Sequence, residues 1–158
     1  MPTGVEIERK FLVEHVPTDL DSYLYDEIEQ GYLAITSDGL EVRVRRYGGH
    51  SYLTIKSGAG RVRVEEEIEI DDRRFGSLWR LTDGRRIHKR RYLIPAENGR
   101  RIELDLYAGP LAGLVTAELE FDSAAAAEAF EPPAWFGRDV TDDPRYKNRQ
   151  LAVDGLPV

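Results

Sequence analysis

VEIERKFLV, residues 5–13, alternates apolar Val5, Ile7 and Phe11 with charged Glu6, Glu8 and Lys10. Successive side chains on a β-strand point to opposite faces, so a period of two predicts a strand with one apolar and one ionic side. The same pattern recurs down the chain. Arg43 and Arg45 alternate with Val42 and Val44, and Thr54 and Lys56 with Leu53 and Ile55. Residues 61–70 set Arg61, Arg63, Glu65, Glu67 and Glu69 against Val62, Val64, Ile68 and Ile70. Glu103 and Asp105 oppose Ile102 and Leu104, and Glu118 and Glu120 oppose Ala117 and Leu119. With Gln30 and Tyr32 sharing a face in 28–35, and Ile87, Lys89 and Arg91 in 85–94, eight strands are predicted.

Short helices fill the gaps. One is expected in 16–26 with Asp19 near its N-cap, and one in 71–82 before the Asp83–Gly84 stop. Ser123 suits the N-cap of AAAAEAF, and Pro144 the first turn of a C-terminal helix. The prediction is one α+β domain over residues 1–158, mostly antiparallel.

One face of each strand collects nine acids and eight bases, and nearly every position on it is ionisable. An ordinary wet sheet face mixes in Ser, Thr and Gln; its charges pair across strands. Here acids come as Glu-x-Glu and bases as Arg-x-Arg, spaced about 6.6–7 Å along one face. Paired carboxylates suit a hard divalent cation, and paired bases suit successive phosphates. An eight-stranded closed sheet can hold one small ligand, and so charged an interior must be wet or filled. Three of only four lysines, Lys10, Lys56 and Lys89, fall on this face of a chain with 18 arginines.

In order, EIERK at 6–10, QGYL at 30–33, RVR at 43–45, TIK at 54–56 and RVEEE at 63–67 resemble the CYTH, or triphosphate tunnel metalloenzyme, family. The resemblance continues through IHKRRY at 87–92, ELDLY at 103–107, AELE at 117–120 and PAWFGRDVTDDPRYKNRQLA at 133–152, covering essentially the whole chain. It is to the short, stand-alone bacterial members. It implies an eight-stranded antiparallel barrel forming a tunnel, short helices outside and a C-terminal helix at one mouth. Glu6, Glu8, Glu118 and Glu120 would ligate Mg²⁺ or Mn²⁺, with Glu65, Glu67, Glu103 and Asp105 completing the acidic wall or a second metal site, Glu65 and Asp105 as further ligands. Lys10, Arg43, Arg45, Lys56, Arg63, Lys89 and Arg91 would bind phosphates. Tyr32 would hydrogen-bond a phosphate or the attacking water, with Glu67 and Lys89 beside it in catalysis. Glu66 makes an unbroken acid triplet, so a one-residue slip would put it in place of its neighbours.

Metal-dependent hydrolysis of a triphosphate is the leading expectation, with inorganic tripolyphosphate the first substrate and nucleoside or thiamine triphosphate next. An adenylate cyclase needs the same grip on a metal–triphosphate but also an adenine pocket, for which no separable motif is visible. A noncatalytic polyphosphate or nucleotide binder would have no use for so many paired acids.

Composition excludes other classes. With 29 acids against 22 bases the net charge is −7, which argues against a nucleic-acid partner. The chain lacks cysteine, which excludes disulfides, thiolate metal sites and thiol nucleophiles. No apolar run approaches the ~20 residues of a membrane span, and no secretory signal is visible, so a cytoplasmic monomer or homodimer is expected. His15, His50 and His88 read as surface residues, and SGAG at 57–60 as a hairpin.

Overall fold

A computed structural model of the chain describes residues 3–4, 7–57 and 63–158. The N-terminal half contributes β1 (Thr3–Gly4), β2 (Glu8–Leu12), β3 (Tyr25–Ile35), β4 (Glu41–Tyr47) and β5 (His50–Lys56). It is followed by β6 (Arg63–Ile70), β7 (Arg86–Pro95), β8 (Arg101–Tyr107) and β9 (Val115–Glu120). All belong to one sheet in the order β1-β6-β5-β4-β3-β7-β8-β9-β2, and every pairing is antiparallel.

The N-terminal segment reaches both edges of this sheet, and within the strand expected over residues 5–13 the described ladder is Glu8–Leu12. Thr3–Gly4 pairs with β6, whereas Glu8–Leu12 pairs with β9. Gly4 and Glu8 are four residues apart, so at most about 14 Å of chain joins the edges. The sheet therefore curls until its ends nearly meet. No ladder is described between β1 and β2, so the closure approximates a barrel.

Turn chemistry fixes the register of the bases. Gly48 and Gly49 both have positive φ (59° and 81°) in the two-residue turn between β4 and β5. Positive φ at both central residues is what a type I′ hairpin requires. That turn pairs Tyr47 with His50, Arg45 with Tyr52 and Arg43 with Thr54. His50 thus opens a strand. In β3, a Cβ on Gly31 would lie 2.5 Å from Thr82 Oγ1, so only glycine fits between the QGYL strand and the turn packed on it.

The larger of two apolar clusters lies outside the curled sheet. Tyr92, Ile94, Ile102, Leu104, Ala117 and Leu119 project outward from β7, β8 and β9 and pack with Leu20, Phe121 and Ala127. Leu20 belongs to a single 3-10 turn, Leu20–Ser22, where a longer helix was expected over 16–26; β3 begins at Tyr25 and takes up the rest. Ala127 belongs to α2 (Ala124–Ala129), where Ser123 Oγ accepts the Ala126 amide hydrogen as its cap, a contact worth about 1 kcal/mol. On the opposite flank α1 (Asp72–Trp79) packs on β4 and β5 through buried Phe75, stacked on Trp79. Asp71 caps it, and a 3-10 turn, Arg80–Thr82, follows.

The C-terminal helix α3 (Asn148–Asp154) contacts β3 and β7. Leu151 and Ala152 pack with inward-facing Tyr32, Ile87 and Tyr107, so α3 plugs one mouth of the barrel. No helix among the described residues is long and apolar enough to cross a membrane.

Candidate active site

The curled sheet and α3 enclose a cavity of about 740 Å³. That is within the range of small-ligand sites, yet its lining is mostly ionic. Every inward-facing base named from the sequence whose side chain is described lines it: Lys10, Arg43, Arg45, Lys56, Lys89 and Arg91. So do Tyr32 and the carboxylates Glu8, Glu65, Glu103, Glu118 and Glu120. Glu6 and the side chain of Arg63 lie outside the described residues, as does most of the 57–60 segment.

Two expected site residues stand elsewhere. Glu65, Glu67 and Glu69 share a face of β6, but their side chains are 27%, 34% and 62% exposed, respectively. Only Glu65, directly opposite Lys56, lines the cavity. Glu67 lies further out along the strand, accepting a hydrogen bond from Thr54 Oγ1 at 3.1 Å and facing Arg45 at 3.6 Å. Glu66 pairs with Ile55 and faces outward, which settles the acid triplet's register. Asp105 is behind the lining and only 4% exposed.

On the β7–β8 side the cations are tightly held. Lys89 Nζ donates to Asp105 Oδ2 at 2.7 Å. Arg91 donates from Nε to Oδ1 at 2.8 Å and from Nη2 to Oδ2 at 3.0 Å, while its Nη1 reaches Glu103 at 3.0 Å. Burial drives the Lys89 pKa down to about 8 despite the Asp105 charge. Burial would raise that of Asp105, but Lys89 and Arg91 outweigh it and hold the carboxyl at about 2. Burial also opposes the charge on Arg91, and Asp105 more than compensates, raising its pKa.

Across β4, β5 and β6 the contacts are longer. Arg43–Glu41, Arg45–Glu67 and Lys56–Glu65 measure 3.8, 3.6 and 3.9 Å. The buried Nε atoms of Arg43 and Arg45 have no hydrogen-bond partner. Burial, followed by the neighbouring Arg43 charge, lowers the Arg45 pKa. Leaving a buried donor unpaired is costly, more so when it is charged, and a bound anion would satisfy both.

The acids concentrate where β2, β9 and β8 adjoin. Glu8 is directly opposite Glu120, and Glu103 opposite Glu118. Directly opposed like charges destabilise a ladder, and burial, with Glu118 contributing, pushes the Glu103 pKa up against the pull of Arg91. A hard divalent cation prefers such oxygen donors and would offset the repulsion. Among the described residues no three potential ligands are already gathered into a metal cage.

Tyr32 is buried on the cavity wall, its hydroxyl accepting from Gln30 Nε2 at 2.7 Å. Burial raises its pKa to about 12, so it remains an O–H donor at neutral pH. The C-terminal block lines the cavity from Val140 to Asp143 and from Tyr146 to Arg149. Lys10 Nζ donates to the Tyr146 carbonyl at 2.5 Å, and Tyr107 Oη to Asn148 Oδ1 at 2.6 Å. Arg149 reaches Glu41 at 3.5 Å. Glu41 and Arg149 were missed. Glu41 could have been found by carrying the Arg43–Arg45 alternation one step back, whereas nothing local marks Arg149.

An inside-out antiparallel barrel, lined by bases around an acidic patch, defines a tunnel protein for a polyanion. Comparison narrows the class. The chain is 47% identical over 149 residues to an inorganic triphosphatase from Nitrosomonas europaea, spanning 94% of this chain and 97% of that protein. It is 37% identical to an inorganic triphosphatase from Acetivibrio thermocellus, over 94% and 93% of the two chains. A solved crystal structure of an inorganic triphosphatase superposes with a TM-score of 0.77 at 44% identity, covering 97% of each chain. A candidate adenylyl cyclase from Hippeastrum, at 19% identity and a TM-score of 0.53 over 78% of this chain and 82% of that one, shares the fold. No protein-family model matches. The chain belongs to the inorganic triphosphatase family.

Proposed function

We propose that this chain is a metal-dependent triphosphatase of the CYTH, or triphosphate tunnel, type, hydrolysing inorganic tripolyphosphate to pyrophosphate and phosphate. The observation that carries the reading is the pair of buried, unpartnered Nε donors on Arg43 and Arg45 in a cavity lined by six further bases. A chain of phosphates offers acceptors to both, and the names of the 47% and 37% identical relatives agree with that substrate. Glu8, Glu118 and Glu120, with Glu6, would hold Mg²⁺ or Mn²⁺. When bound, such an ion offsets phosphate charge and makes phosphorus more susceptible to in-line attack.

The chain's own groups do the rest. Arg43, Arg45 and Lys56 grip the phosphate chain and offset charge on the leaving pyrophosphate. Lys89 and Arg91 present a fixed pair of positive charges from the facing wall. Tyr32 keeps its proton and donates to a phosphate oxygen or to the attacking water. α3 keeps bulk water from one mouth.

Phosphate release from purified protein given tripolyphosphate and Mg²⁺ tests this, with Glu120→Gln as control. Rapid, metal-dependent release that the control loses by orders of magnitude is expected. No release, or an undiminished rate in the control, would overturn the reading; cyclic AMP formed from ATP would point to the cyclase.

A further inference from the structure

Asp105 was expected among the metal ligands, and its geometry points to another role. Both of its oxygens are occupied by cations: Oδ2 accepts from Lys89 and from Arg91 Nη2, and Oδ1 from Arg91 Nε. Lys89 is 1% exposed, and Asp105 is itself buried and absent from the cavity lining. Register makes the arrangement local, because Arg91 pairs with Asp105 and Lys89 with Tyr107 across the β7–β8 ladder. The Tyr107 ring lies under the ammonium, 5.3 Å from Lys89 Nζ, and is tied to α3 through Asn148. Two bases on one strand are therefore referenced to one buried carboxylate on the next.

We infer that Asp105 is a positioning residue: it fixes Lys89 and Arg91 as a preorganised clamp for the substrate's phosphates and is not a metal ligand. The inference rests on the phosphate-binding reading of those two bases. Long cationic side chains lose rotamer freedom on gripping an anion, and Asp105 has removed that freedom beforehand. Its negative charge also lets two like charges sit side by side in a buried wall.

The test combines a mutant cycle with a measurement on the wild type. Misplacement of about 1 Å can cost on the order of 10²-fold, so Asp105→Asn should raise KM for tripolyphosphate by about that factor. The Mg²⁺ concentration giving half-maximal activity should not move. A merely structural defect would shrink the active fraction, and so kcat, while leaving KM alone. In the Lys89→Ala, Arg91→Ala background, adding Asp105→Asn should change KM by no more than about twofold, since a residue acting only through those bases has nothing left to position.

In case those variants do not fold, wild-type protein is titrated with Mg²⁺ alone while side-chain carboxyl ¹³C resonances are followed. Those of Glu118 and Glu120 should shift, and that of Asp105 should stay. A shifting Asp105 resonance, a raised Mg²⁺ requirement in Asp105→Asn, or a full additive loss in the cycle would overturn positioning alone. Unchanged KM in both Lys89→Ala and Arg91→Ala would bring down the phosphate-binding reading and this inference together.

Discussion

Two walls of one tunnel hold their cations on different terms. On β7–β8, Lys89 and Arg91 sit 2.7–3.0 Å from acids, most of it on a single buried carboxylate. On β4–β5–β6 the nearest acids to Arg43, Arg45 and Lys56 are 3.6–3.9 Å away, and two guanidinium Nε atoms are unpartnered. Both walls carry the same residue types at the same spacing. The tight wall has satisfied its charges within the fold, so its geometry is set before any ligand arrives. The loose wall leaves donors unsatisfied, at a cost to stability, and that reserve is what an incoming anion can claim.

The sharpest way to break this contrast is to measure stability. Lys89→Ala removes one partner of a buried pair and should cost about 3–5 kcal/mol, read as a lower denaturant midpoint. A loss under 1 kcal/mol would show that the tight wall does not contribute to the fold as its distances say. Next come the two arginines whose Nε atoms are unpartnered. A hydrogen bond to a charged group contributes about 1.5–3 kcal/mol, so Arg43→Ala should weaken tripolyphosphate binding roughly 10- to 150-fold by calorimetry. Arg45→Met should go further in separating the roles: removing a buried donor without a partner should raise Tm while lowering affinity, as happens where a site is strained for function. A drop in Tm would mean that the Arg45–Glu67 contact matters more than its 3.6 Å suggests.

Acid sharpens the comparison. Asp105 has its pKa depressed from 3.8 to about 2, so the folded state resists a proton that the unfolded chain accepts. Its stabilising contribution is complete above about pH 4 and is lost as pH falls toward 2. Denaturant midpoints at pH 6, 4 and 3 should decline, and decline less steeply in Asp105→Asn. The smallest effect belongs to the loose wall: Lys56→Ala, breaking a 3.9 Å partly exposed pair, should change stability by less than about 1 kcal/mol.

Most of the tunnel was legible from strand periodicity. Lys10, Arg43, Arg45, Lys56, Lys89 and Arg91 each follow their strand's alternation, and all six line the cavity. Alternation says which side of a sheet a residue occupies; it is silent on depth along the barrel. Glu65, Glu67 and Glu69 obey one pattern, yet only Glu65 lines the cavity, while Glu69 meets His50 at the exposed end of the strand. It is equally silent on partners within a face. Asp105 and Glu103 are two residues apart on the inner face, and only Glu103 reaches the cavity.

By itself, then, the amino-acid order determined the strands, the ionic inner face and the apolar outer one, because a period of two leaves each side chain a single side to occupy. Tertiary structure alone decided that the N-terminal segment spans both sheet edges, that α3 brings Arg149 to Glu41, and that Asp105 holds Lys89 and Arg91. Those outcomes depend on which strands become neighbours and how far each lies along the barrel. Such distances between residues remote in the chain exist only once the sheet has curled and its mouth has been plugged.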